Sequence, residues 1–147
     1  SMLHDMASTP GDLEQKLGRH ARQHLSSILE HEQFSRLILR ELLENGPQRG
    51  EELAQQGFGD NFARLVSILR GAQSNGELRQ DIDPAMVAVL LIGAGVFFCE
   101  ARDVLHHDPD VTFSNDPPRY SNMLVDILLH GILRPKPAST HPEQEQR

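Results

Sequence analysis

Pro84-Ala85-Met86-Val87-Ala88-Val89-Leu90-Leu91-Ile92-Gly93-Ala94-Gly95-Val96-Phe97-Phe98-Cys99 is the stretch that decides how this chain folds. Asp83 just before it offers a capping carboxylate, and Pro84 stands in the first turn, where a missing N–H costs nothing. A helix therefore starts here and is expected to run to about His106. No polar side chain interrupts it between Met86 and Phe98. A helix on the outside of a monomer shows a polar face; this one shows none for about three turns, so it must be covered on every side. The apolar run from Ala85 to Cys99 falls short of the roughly 20 residues of a membrane span and carries glycines at 93 and 95. It reads as a buried helix, with no membrane as partner.

Working outward, the chain is a series of helices divided by strong punctuation, with no convincing strand. Thr9-Pro10-Gly11-Asp12 signals a helix start, with the Thr9 hydroxyl at the cap. Leu13, Leu17, Ala21, Leu25, Ile28 and Leu29 then recur at three- and four-residue steps. Glu30-His31-Glu32 interrupts that face and predicts a bend. A second helix carries Phe34, Leu37, Ile38, Leu39, Leu42 and Leu43 on more than one side, and Asn45-Gly46-Pro47 is expected to end it. A third segment, from about Glu51 to Asn75, is broken at Gly57-Phe58-Gly59-Asp60 and closed by Asn75-Gly76. After the apolar fourth helix and a loop over 108–115, Asp116-Pro117 opens a fifth that is expected to reach about Leu133. The fold class is all-α, a bundle of about five to six helices. Residues 1–11 read as the end of a linker helix with a tag remnant at Ser1-Met2, 12–134 as one domain, and 135–147 as a disordered tail rich in Pro, Gln, Glu and Ser.

The 147 residues hold 14 Lys and Arg against 21 Asp and Glu, a net charge of −7, with no basic run. Nucleic-acid binding draws on cations that neutralise phosphates, so this chain alone is a poor DNA binder. Cys99 is the one cysteine, which excludes an internal disulfide and suits a reducing cytoplasm. No phosphate loop or nucleophile elbow is present. Glu100 and Asp103 suit a surface end-turn better than an acid–base pair, so no enzyme is expected and no cofactor.

The fifth helix is also apolar, at Met123, Leu124, Val125, Ile127, Leu128, Leu129, Ile132 and Leu133. Two such helices at the end of a chain suit pairing with a symmetry mate, as a four-helix bundle built from two copies. The expected homodimer interface is Leu91, Gly95, Phe98, Tyr120, Leu124, Ile127, Leu128 and Gly131. The plainer reading is that both helices serve a monomer core.

Phe34-Ser35-Arg36-Leu37-Ile38-Leu39-Arg40-Glu41-Leu42 resembles the segment after the fifth helix of many TetR-family transcriptional regulators. Gly76-Glu77-Leu78-Arg79-Gln80-Asp81-Ile82-Asp83-Pro84 looks like that family's turn before its eighth helix. Leu91-Ile92-Gly93 and the closing Leu129-His130-Gly131-Ile132-Leu133 fit the same order, across roughly Asp12 to Arg134. The resemblance implies a domain whose first helices form an effector pocket and whose last two form the dimer. In that family ligand entry changes the spacing of two helix-turn-helix heads and releases operator DNA. No helix-turn-helix precedes Asp12, so the DNA-binding half is expected to be absent, with Leu3-His4-Asp5-Met6 as the end of a connecting helix.

Under that resemblance the pocket candidates for a small, mainly apolar effector are Phe34, Leu37, Ile38 and Glu41, then Phe62, Leu65, Val66 and Leu69, then Val89, Ile92, Val96, Phe97 and Cys99. Each has a plainer reading: the apolar residues as core, Glu41 as a helix acid paired with an arginine. His20 and His24 stand four apart, a spacing that suits a metal, with His31 further along; His106-His107-Asp108 is a second cluster. Without a Cys pair or tightly spaced acid they read as solvated helix histidines, and no metal site is expected. Cys99, in an apolar helix, reads as an inert thiol rather than a redox switch. Two other readings stay open beside the sensor: a helical interaction module without a pocket, and a small helical enzyme.

Overall fold

The computed structural model describes residues 12–55 and 59–135, and for Gly59 and Asp60 the backbone alone. Among these residues all regular structure is helical: α1 (Leu13–Glu30), α2 (Glu32–Leu53), α3 (Gly59–Ser74), α4 (Pro84–Leu105) and α5 (Pro117–His130). The fold is all-α. The linker read into residues 1–11 and all but the first residue of the tail read over 135–147 lie outside the described residues; the cap of α1 is Asp12, not Thr9, because the helix begins only at Leu13.

The helix ends follow local chemistry. Asp12 caps α1, its Oδ1 accepting from the Gln15 N–H at 2.8 Å. Asp83 caps α4 through the Ala85 N–H at 2.9 Å, with Pro84 in the first turn as expected. Asp116 caps α5 through the Arg119 N–H. After α3 the chain reverses at Gly76, whose φ of +86° is open to glycine at no steric cost; Glu77 and Leu78 N–H groups close back on the Ala72 carbonyl. His31, with φ −118° and ψ 43°, separates α1 from α2, at the bend expected there.

Two boundaries and one judgement of length differ from the sequence reading. Asn45-Gly46-Pro47 does not end the second helix, which continues to Leu53 with Pro47 inside and non-helical angles at Arg49 (φ −117°, ψ 16°). Proline removes one backbone bond and crowds the preceding turn, so a break in direction follows rather than a stop. Arg49 straddles that break, donating to Glu41 at 2.8 Å and to Glu52 at 3.0 Å. The last helix ends at His130 rather than near Leu133, because Gly131 takes φ +75°. Finally, α4 runs 22 residues, so by length and composition it does suffice to cross a membrane, contrary to the estimate from its apolar run alone. In this chain it packs against α1, α3 and α5.

Two apolar clusters hold the helices. Leu13, Leu17 and Ala21 of α1 meet Leu65, Val66, Leu69 and Ala72 of α3, Ala88 and Leu91 of α4, and Val125 of α5. Leu25, Phe98 and Cys99 form the second, backed by Ile28, Leu29, Phe113 and Tyr120. There Phe98 stacks on Tyr120 with ring centroids 4.1 Å apart, and the Tyr120 hydroxyl donates to the Ala94 carbonyl at 2.8 Å. Burial of this order contributes about 1.5–3 kcal/mol per large apolar side chain. α2 stands apart: it contributes no buried residue and packs mainly against α1.

Candidate functional site

α2 lies over α1 and α4 and borders an open apolar cleft of about 190 Å³. Its walls are His24 and Ile28 from α1, Phe34, Ser35, Ile38 and Leu39 from α2, and Ile92, Val96 and Glu100 from α4. The steps 34, 35, 38, 39 and 92, 96, 100 are one helix face each, which is why these side chains converge. Across the cleft Arg36 reaches Glu100 at 3.7 Å while holding Glu32 at 2.6 Å. The space suits one ring or a short chain, since a dry apolar cavity of about 150 Å³ already takes benzene.

At the cleft wall His24 stacks in parallel on the buried His20, their ring centroids 5.9 Å apart. They are not the solvated pair expected from spacing: His20 is 3 % exposed. Both nitrogens of His20 and Nε2 of His24 are buried without a hydrogen-bond partner. Burial, then the neighbouring His24, pulls the His20 pKa down to about 4. His24 is lowered by burial too, partly offset by a hydrogen bond to the Ile92 carbonyl. A buried nitrogen left bare costs about 1–3 kcal/mol, and burial favours the neutral form of these rings.

Gly95 makes this arrangement possible. A β-carbon there would stand 3.0 Å from Cδ2 of His24 and 3.5 Å from Leu25. Gly95→Ala is therefore expected to cost about 1 kcal/mol: overpacking of about 1–3 kcal/mol outweighs a gain in helix propensity of about 1 kcal/mol. Gly71→Ala on α3, with nothing within 4 Å of the new methyl, is expected to stabilise by up to about 1 kcal/mol. Urea denaturation of the two variants reads the opposite signs.

Of the expected pocket residues, Phe34, Ile38, Ile92 and Val96 line the cleft. The remainder lie elsewhere. Leu65, Val66 and Leu69 are buried in the main core with Phe62 packed against it, and Cys99 is buried in the second cluster. Burial pushes its thiol up to about 11, so it is inert at neutral pH. Leu37, Val89 and Phe97 are exposed on outer faces. Glu41 pairs with Arg49 and Asn45, the plainer reading of that acid. His24, Ile28, Ser35, Leu39 and Glu100 complete the walls and were not singled out for them. His24 carried a signal in the sequence, an imidazole on the apolar face of Leu17, Ala21 and Leu25, but it points to burial only once the face is known to be covered.

The residues expected at a dimer interface are divided between the chain's own core and its surface. Leu91, Gly95 and Phe98 face the chain's own core and are buried there, so they offer nothing to a partner. Tyr120 is half-buried on Phe98; Leu124 and Leu128 pack partly against the main cluster; Ile127 and Gly131 are exposed. Instead Met86, Val89, Leu90, Gly93 and Phe97 form an exposed apolar stripe on α4, with Phe97 65 % exposed.

A second, larger cleft of about 610 Å³ lies between the start of α1, the turn after α3 and the end of α5. Its walls mix Leu13, Leu78, Ile82, Leu128 and Leu129 with Asp12, Glu14, Glu77, Arg79 and His130. Glu77 also caps the Leu13 N–H at 2.8 Å. Compared with protein-family models, curated proteins and solved structures, the chain matches none. A functional reading therefore rests on its own residues and geometry.

Proposed function

We propose that this chain is the effector-binding, dimer-forming domain of a cytoplasmic TetR-type transcriptional repressor. The single observation that carries it is the apolar cleft under α2, a helix with no buried residue of its own. A small, mainly apolar molecule bound there supplies the burial α2 lacks and fixes its position over α1 and α4. Such a ligand shifts a two-state equilibrium by the difference in its affinity for the two placements of α2, and needs no covalent chemistry. The exposed apolar stripe of α4 supports a homodimer: exposed apolar patches of this kind mark interaction surfaces. With 14 basic against 21 acidic residues, operator contact belongs to a helix-turn-helix segment outside these 147 residues.

Two substitutions separate the parts of the proposal. Phe97→Glu, on the exposed stripe, is expected to convert a dimer to a monomer in sedimentation while helicity is kept. Val96→Trp, which fills the cleft, is expected to abolish binding of an alkylbenzene probe while leaving the dimer intact. A Phe97→Glu protein that sediments as the unmodified one does removes the interface from that stripe. Undiminished probe binding by Val96→Trp removes the effector from the cleft and favours an interaction module without a pocket.

A further inference from the structure

Glu14 stands in the first turn of α1, and Asp126 and His130 stand one turn apart on α5. One ligand atom from each lies within 4.8 Å of the others, and His130 Nε2 is 3.5 Å from Glu14 Oε1. We propose that these three side chains form a binding site for a divalent transition-metal ion of the zinc class.

The donors are the right kind for it. An imidazole with two carboxylates suits zinc, nickel or cobalt, whereas magnesium and calcium favour oxygen-only sets. Around an ion bound at about 2.0–2.2 Å, tetrahedral donors stand about 3.4 Å apart. The Glu14–His130 separation is already close to that. All three side chains are exposed, so a rotamer change brings in the third donor without moving backbone. The backbone is set by what lies beneath: Leu13, Leu17 and Val125 are buried where α1 meets α5. Asp126 and His130, four apart, share a helix face by construction of the helix.

The cluster also has a place to present the ion. Glu14 and His130 are wall residues of the 610 Å³ cleft, so the metal sits at its rim. Three protein donors leave at least one coordination position for water or for a donor group of a molecule in that cleft. Bound metal would tie the first turn of α1 to the last turn of α5 and neutralise two carboxylates held close together. Histidine spacing within single helices did not point here, because Glu14 comes from the far end of the chain and His130 stands alone in the sequence. The site is independent of the effector reading.

Zinc chloride titrated calorimetrically into the intact chain tests it, with thermal unfolding followed in parallel. One zinc per chain and a raised melting temperature are expected. His130→Ala and Asp126→Asn are each expected to weaken uptake by at least about tenfold. His107→Ala, which removes a histidine from the other cluster, is expected to leave it unchanged. No uptake by the unmodified chain overturns the proposal, as does uptake by folded His130→Ala and Asp126→Asn at the unmodified affinity. In either case Glu14 and His130 are an ordinary surface pair at two helix ends.

Discussion

Replacing Phe98 with alanine is expected to destabilise the chain by about 3–5 kcal/mol, the largest effect of any single truncation proposed for it. Phe98 is 1 % exposed and joins three helices. It packs with Leu25 of α1 and stacks on Tyr120 of α5 and on Phe113 of the loop between α4 and α5. The neighbours cannot collapse into the gap, because Tyr120 is anchored to the Ala94 carbonyl at 2.8 Å. Lost transfer energy and an unrelaxed cavity therefore add. Urea denaturation at fixed protein concentration, which keeps any dimer contribution constant, measures the loss. A cost below about 1 kcal/mol would mean that the second cluster is loosely packed.

Acidification is expected to act through His20. Its pKa is about 4 in the folded chain against 6.5 unfolded. Between those values the unfolded chain holds the proton and the folded chain does not, so stability falls as pH drops from 6.5 towards 4. It levels off for this group below about 4, where both states are protonated. The shift corresponds to roughly 3 kcal/mol over that window. His24, lowered in the same direction by burial, adds to the slope. Carboxylates contribute to acid unfolding as well, so the reading is a difference: His20→Leu, which buries no titrating group, is expected to flatten the curve between pH 6.5 and 4. Equal pH dependence in the two proteins would show that His20 is not held neutral in the bundle.

Helix positions were legible because their signals are local. Asp83-Pro84, Asp116-Pro117 and Asn75-Gly76 act on the backbone within a few residues of themselves, and each marks an observed helix end. Where a local signal competes with packing it misleads: Pro47 breaks α2 without stopping it, and Gly131 stops α5 before the apolar Ile132 and Leu133. The expectation that α4 is covered on every side holds for one face only, since Met86, Val89, Leu90 and Phe97 stay exposed; the phase of that face was not legible. A helix apolar on every side carries no rotational information, so Leu91, Gly95 and Phe98 are indistinguishable in sequence from Leu90, Gly93 and Phe97. The structure turns the first set inward and the second outward. The same ambiguity scattered the pocket candidates: Ile92 and Val96 reach the cleft, whereas Val89 does not. His24, Glu100 and the Glu14–Asp126–His130 cluster depend on contacts between distant helices, to which periodicity within one helix is blind.

Native mass spectrometry of the unmodified chain, followed by denaturing analysis of whatever it releases, tests the central claim most directly. A dimer carrying a stoichiometric small apolar molecule is the predicted result. A monomer with nothing bound, and no uptake of an added alkylbenzene, would contradict both the exposed α4 interface and the effector cleft beneath α2.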